Sequence, residues 1–139
     1  MTIMLDLNVL LDVLQKREPH FQCSAELLDL VAKGTIHGFV PAHGITTIHY
    51  IVAKYADRAK GDEAVDWLLA HTQVIPAARE HFLRARALNL PDFEDGVVAA
   101  LAESSHCDYV ASRNTADFTK SPVPTLTPEE LLTVFADEQ

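Results

Sequence analysis

Short apolar runs alternate along this chain with longer stretches in which hydrophobic residues recur every three or four positions. Runs of the first kind predict β-strands, and stretches of the second kind predict amphipathic helices. Regular alternation of the two predicts a parallel sheet flanked by helices, so the expected fold class is α/β. The predicted strands cover residues 3–5, 36–40, 73–75, 109–111 and 124–126.

Helix starts and stops are marked by capping residues. Gly34 is predicted to end the helix that begins at Phe21, and Asp62 to cap the helix that carries Val65. At the tail, Thr127 followed by proline and two acids is a strong helix start. The predicted helices begin near residues 7, 21, 41, 62, 78, 92 and 128.

Size and composition narrow the class of protein. A chain of 139 residues is expected to form a single domain over residues 1–139, and a hydrophobic share of 48% is ordinary for a globular protein. No apolar stretch approaches the length of a membrane span, and Asp6 and Asp12 interrupt the first apolar run, unlike a signal peptide. We therefore expect a cytoplasmic protein in which Cys23 and Cys107 are free, buried thiols.

The net charge of −9 argues against binding nucleic acid by bulk electrostatics. Setting aside Asp6, Asp92, Asp95 and Asp117 as metal ligands still leaves −5. A polyanionic substrate would therefore need a bound cation and a local basic patch, unless the basic residues are simply solvated helix faces. Candidates for that patch are Lys54, Arg58, Lys60, Arg79, Arg84, Arg86 and Arg113.

Carboxylates recur where predicted strands end and helices begin. Asp6 ends the first strand, Asp92 and Asp95 open a helix one turn apart, and Asp117 follows the fourth strand. Ligands collect at the carboxyl edge of parallel sheets, and carboxylates suit a hard divalent cation. Paired Asp92 and Asp95 repel each other unless a cation lies between them. Helix capping by Asp6 or Asp92 and a turn at Asp117 are the alternatives, and Glu94 is predicted to point away towards the surface.

Three segments carry a resemblance to a known family. Residues 5–12 (LDLNVLLD), 92–102 (DFEDGVVAALA) and 110–118 (VASRNTADF) resemble the PIN-domain ribonucleases, and most of all the VapC-type toxins of bacterial toxin–antitoxin pairs. The resemblance implies a PIN-like three-layer α/β/α fold and an endoribonuclease that uses Mg²⁺ or Mn²⁺. It also implies an RNA substrate, a cognate antitoxin whose segment occupies the cleft, and a homodimer.

The resemblance assigns roles residue by residue. It implies catalytic roles for four acids, of which all except Asp92 are expected to bind the metal. It implies substrate or supporting contacts for four polar residues near them. The acids are Asp6, Asp92, Asp95 and Asp117, and the polar residues are Asn8, Ser112, Arg113 and Asn114.

One departure from the family concerns the helix after the second strand. Members carry a glutamate there, but residues 45–50 contain no carboxylate. Thr46, Thr47 or His49 could take its place through hydrogen bonds, or the site could hold metal more weakly. His49 among apolar neighbours also fits a simple packing residue.

Two other functions stay open. A PIN-like module that binds RNA or an antitoxin without cleavage is favoured by the missing glutamate and by Asn114, where many members have aspartate. A phosphohydrolase with Asp6 as covalent nucleophile is disfavoured, because Asn8 stands where a second aspartate is usually needed.

Overall fold

All five strands lie parallel in one sheet, as the alternation of runs predicted. The computed structural model describes residues 1–139 and orders the strands β3-β2-β1-β4-β5, so that β1 lies at the centre. Both neighbours of β1 pair with it in parallel register. The strands are β1 Thr2–Leu5, β2 His37–Pro41, β3 Gln73–Ile75, β4 Tyr109–Ala111 and β5 Thr125–Leu126.

Seven α-helices and one short 3₁₀ helix, Thr115–Phe118, connect and flank the strands. None of them is long and apolar enough to cross a lipid bilayer. The α-helices are α1 Leu7–Leu14, α2 Phe21–Ala32, α3 Ala42–Tyr55, α4 Arg58–His71, α5 Arg79–Leu88, α6 Phe93–Ser104 and α7 Pro128–Asp137.

The N-cap residues of two helices can be compared with the predicted helix starts. Thr127 caps α7 in a reciprocal capping box with Glu130, which confirms the predicted start of the tail helix. The prediction that Asp62 caps the fourth helix is wrong. Asp57 caps α4 by accepting a 2.8 Å hydrogen bond from the Lys60 amide, and Asp62 lies within the helix.

The central strand divides the core into two layers. Ile3 and Leu5 point towards one face and pack with residues of α1 to α4, whereas Met4 points to the other face and packs with α5 and α6. All three side chains are fully buried. Burial of each contributes roughly 1.5–3 kcal/mol. Because side chains alternate between the two faces of a strand, the same pattern determines the face towards which Asp6, the residue after β1, points.

The two cysteines are free, as predicted. The predicted burial is confirmed for Cys107, which packs in the layer beneath α6, but is wrong for Cys23, which is only half-buried. Burial, together with the charge of Asp108, raises the pKa of the Cys107 thiol to about 12. Cys107 is therefore a protonated packing residue.

Candidate metal centre

Asp6 lies at the carboxyl end of the central strand. Its backbone stays extended (φ −77°, ψ 152°), so its side chain points to the same face as Met4, against which α6 packs. Oδ1 accepts a 2.8 Å hydrogen bond from the Leu7 amide, which makes Asp6 the N-cap of α1. Only 5% of the residue is exposed. Asp6 therefore caps α1 and at the same time places a carboxylate at the carboxyl edge of the sheet.

Ser112 connects the predicted polar residues around Asp6. This fully buried serine donates a 2.8 Å hydrogen bond to Oδ2 of Asp6. Its hydroxyl oxygen accepts hydrogen bonds from Nδ2 of Asn8 at 3.2 Å and from the Asn114 amide at 3.1 Å. Oδ1 of Asn8 in turn accepts from the Arg113 amide at 3.3 Å. These bonds fix the loop after β4 to the first turn of α1.

Asp95 faces Asp6 from the first turn of α6. Asp95 is 8% exposed, and its carboxylate accepts no hydrogen bond from the protein. Its amide donates a 3.1 Å bond to Oδ1 of Asp92, the N-cap of α6, which confirms the capping alternative for Asp92. The helix terminus favours negative charge here.

Glu94 does not point away from the cleft, so that prediction is wrong. One carboxylate oxygen from each of Asp6, Glu94 and Asp95 lies within 4.8 Å of the other two. Oε1 of Glu94 also lies 3.3 Å from Nε2 of His43, in the first turn of α3. A glutamate side chain is long enough to reach over the helix terminus, which a count of helical positions does not reveal.

Asp117 lies close to these acids without joining them. It belongs to the 3₁₀ helix after β4, and its charge helps to raise the pKa of Asp95. We call the group formed by Asp6, Glu94 and Asp95 the acid cluster. The carboxylate oxygens of Asp117 lie outside this cluster.

The electrostatics of the acid cluster favour a bound cation. The pKa of Asp6 is raised to about 6, mainly by burial and to a lesser degree by the charge of Glu94. The hydrogen bond from Ser112 acts in the opposite direction and lowers this pKa. Burial and then the charge of Asp6 raise the pKa of Asp95 to about 7. No lysine or arginine forms an ion pair with the cluster. An all-oxygen donor set without a lysine or arginine partner fits Mg²⁺ or Mn²⁺.

The guanidinium of Arg113 turns towards α1 instead of the cluster. Its Nε donates a 2.7 Å hydrogen bond to Oδ2 of Asp12, a carboxylate that is fully buried. Ser24 adds a weaker contact to the same oxygen at 3.4 Å. The substrate contact predicted for Arg113 stays a prediction and would use its remaining nitrogens.

The polar residues of α3 do not take the place of the expected glutamate, which was one of the two alternatives for them. His49 pairs with Asp62 on α4 at 2.8 Å, and the hydroxyls of Thr46 and Thr47 donate to the His43 carbonyl. None of the three belongs to the acid cluster. His43, which the sequence reasoning missed, contacts the cluster instead. Its position just after β2, at the carboxyl edge of the sheet, was the available signal.

The fold and the acid cluster together define a three-layer α/β/α protein with clustered carboxylates at the carboxyl edge of its central strand. The sequence profile described as PIN domain matches residues 2–116. The chain therefore belongs to the PIN-domain family. No curated protein sequence matches it.

Solved structures of bacterial toxins and toxin–antitoxin complexes share this fold. VapBC2 of Rickettsia felis, bound to a promoter DNA fragment, is similar with a TM-score of 0.71 and 17% identity, over 91% of this chain and 98% of that one. A toxin–antitoxin complex from Klebsiella pneumoniae is similar with a TM-score of 0.69 and 19% identity, over 91% of this chain and 97% of that one. VapC20 of Mycobacterium tuberculosis is a toxin that cleaves the sarcin–ricin loop. It is similar with a TM-score of 0.64 and 10% identity, over 78% of this chain and 86% of that one.

Proposed function

We propose that this protein is a metal-dependent endoribonuclease and the toxin of a toxin–antitoxin pair. The observation that carries the proposal is the acid cluster, in which two buried aspartates and Glu94 converge without a lysine or arginine partner. Membership of the PIN-domain family supports a nuclease, and the similar Mycobacterium tuberculosis toxin cleaves RNA of the sarcin–ricin loop.

In this proposal Asp6 and Asp95 hold Mg²⁺ or Mn²⁺, with Asp117 as a further acid nearby. A bound divalent cation would neutralise charge on the scissile phosphate and lower the pKa of an attacking water. The Leu7 amide and the Ser112 hydroxyl keep the Asp6 carboxylate in one orientation, since each donates to a different oxygen, and Asn8 in turn donates to Ser112. Asp92 and Asp117 stay part of the proposed catalytic set as the outer acids, whose charges raise the pKa of Asp95.

Because the protein is acidic, contact with an RNA backbone requires basic side chains that are not already paired with acids. Arg84 is engaged by both oxygens of Glu103, at 2.9 and 3.0 Å. Arg79 and Arg86 are exposed and form no ion pair. These two arginines are the proposed phosphate contacts outside the acid cluster.

Exposed aromatic rings join these arginines to the cluster. Phe82 and Phe93 stack with ring centroids 6.3 Å apart and line a cavity of about 480 Å³ together with Arg79 and Arg86. The same two rings line a neighbouring cavity of about 400 Å³ that reaches Glu94. Stacked aromatic rings beside arginines suit bases and phosphates of single-stranded RNA, which is the substrate class we propose.

Cleavage of a mixed RNA pool by purified protein with Mn²⁺ tests the enzyme. Asp6→Asn and Asp95→Asn should abolish cleavage without loss of the folded state, as judged by circular dichroism. Asp66→Asn, an exposed acid on α4, is the matched control and should cleave like the wild type. Undiminished cleavage by Asp95→Asn would reject the proposed site.

The toxin role, the cytoplasmic location, the antitoxin partner and the homodimer belong to the same proposal. Their support is the likeness to toxin–antitoxin complexes from Rickettsia felis and Klebsiella pneumoniae. Induced expression in bacteria should arrest growth, and Asp95→Asn should not. Light scattering on the purified protein should give twice the mass of one chain, and a single-chain mass would contradict the dimer.

A non-cleaving binding module is the second candidate, because no carboxylate is present on α3. RNA binding by the wild type, without cleavage under any divalent cation, would favour this module over the nuclease.

A further inference from the structure

We infer that Glu94 supplies the third carboxylate of the metal centre and that His43 positions it, so that the pair replaces the glutamate expected on α3. The inference rests on the proposed function, because it assigns residues within the proposed metal centre.

The first argument is geometric. Helix α3, from Ala42 to Tyr55, contains no aspartate or glutamate, so it offers no carboxylate from its side of the cleft. Its first turn instead directs the His43 imidazole at Glu94, with Nε2 3.3 Å from Oε1. The carboxylate missing from α3 is thus supplied by α6, across the cleft.

The second argument concerns carboxylate oxygens that accept no hydrogen bond from the protein. Asp95 is 8% exposed, and its carboxylate accepts no hydrogen bond, although it lies within 4.8 Å of the oxygens of Asp6 and Glu94. Oε2 of Glu94 likewise has no hydrogen-bond partner. These are the free oxygens that a cation would need from α6.

The third argument is that the His43 contact is unsuited to a purely structural role. The side chains of His43 and Glu94 are 37% and 42% exposed, and ion pairs this exposed add little to stability. Hydrogen bonds to metal-binding carboxylates, in contrast, orient them, and their loss weakens metal affinity by roughly 10- to 100-fold. The pair is therefore expected to affect metal affinity much more than folding.

Mn²⁺ binding, followed by the loss of the free-ion signal in electron paramagnetic resonance, tests the inference without relying on activity. Glu94→Gln should weaken the affinity by roughly 10- to 100-fold, and His43→Ala by about tenfold. His43→Gln keeps an N–H donor and should stay within about threefold of wild type. Glu80→Gln, the same change at an exposed site on α5, is the matched control and should bind normally.

The outcomes separate this inference from the proposed function. Loss of binding in Asp95→Asn together with wild-type affinity in Glu94→Gln would overturn the role of Glu94 and leave the metal centre intact. Equal weakening in His43→Ala and His43→Gln would overturn the positioning role. Wild-type protein that binds no Mn²⁺ would overturn the metal centre and this inference together. Thermal melts without metal should coincide for the wild type, His43→Ala and His43→Gln, because a purely structural role of His43 would shift the melt of His43→Ala.

Discussion

The hydroxyl of Ser112 donates a 2.8 Å hydrogen bond to Oδ2 of Asp6, although 106 positions separate the two residues. The pairing of β1 with β4 brings them together, because the Asp6 amide donates to the Ala111 carbonyl at 3.0 Å. The ionised form of Asp6 therefore depends on a residue from the far end of the chain.

Replacing Ser112 with alanine should raise the pKa of Asp6 above its value of about 6, since the lost hydrogen bond lowers that pKa. A hydrogen bond to a charged group contributes roughly 1.5–3 kcal/mol, so Mn²⁺ affinity should fall by about tenfold or more. Titration with Mn²⁺ at pH 8 measures the change. Ser121→Ala, outside the cluster, is the control, and equal affinities in the two variants would contradict the prediction.

The raised pKa values of Asp6 and Asp95 predict that stability without metal falls as the pH rises. Both values, about 6 and about 7, exceed the ordinary 3.8, so between pH 4 and 7 the folded state binds more protons than the unfolded chain. The free energy of unfolding should then decrease by up to about 1.4 kcal/mol per pH unit for each group. Urea denaturation with a chelator measures it. The slope should be smaller in Asp95→Asn, and a rising profile in this window would contradict the assignment.

Divalent cations should reverse this loss at pH 8. A ligand that binds only the folded state stabilises it by about 2.7 kcal/mol at 100 times its dissociation constant. Addition of Mn²⁺ should therefore raise the melting temperature, and a chelator should restore it. In Asp6→Asn the melting temperature should not respond to Mn²⁺, and an unchanged response there would place the cation elsewhere.

Arg113→Ala should destabilise the fold, because Asp12 is fully buried and Arg113 is its ion-pair partner. Removing one member of a buried ion pair costs roughly 3–5 kcal/mol. Oδ1 of Asp12 already lacks a hydrogen-bond partner, which makes the uncompensated charge more costly. Urea denaturation measures the cost. Arg84→Ala, which breaks an exposed pair with Glu103, should leave the midpoint nearly unchanged.

Asp92 can be tested as cap and as acid separately. Asp92→Ala removes the cap of α6 and should cost about 0.5–2 kcal/mol of stability. Asp92→Ser keeps a capping oxygen without the charge, so stability should recover while any contribution of the carboxylate to Mn²⁺ affinity is lost. An affinity in Asp92→Ser as low as in Asp95→Asn would make Asp92 a direct ligand.

The strands were the most predictable part of the fold. The strands predicted at residues 73–75 and 109–111 have the bounds that the structure shows. The start of α4 was not predictable, because Gly61 reads as a helix stop. It lies inside the helix, where an added Cβ would come within 3.2 Å of the His49 carbonyl oxygen of α3. Close packing of two helices, which no local pattern records, explains this glycine.

The acid cluster was predictable only in part. The rule that ligands gather at the carboxyl edge of a parallel sheet indicated Asp6 and Asp95, and the structure brings them together. The direction of Glu94 and its contact with His43 depend on how α3 and α6 pack across the cleft. Such packing follows from the whole core, so sequence reasoning missed His43 and gave Glu94 the wrong direction.

The dependence of Asp6 on Ser112 has a consequence for synthesis. Because β1 is the central strand and β4 one of its two neighbours, a chain truncated before residue 109 lacks both the neighbouring strand and the serine that orients the first acid. A fragment of that length contains three acids of the cluster but cannot arrange them. The acid cluster can therefore take its final arrangement only after β4 and Ser112 have been synthesised.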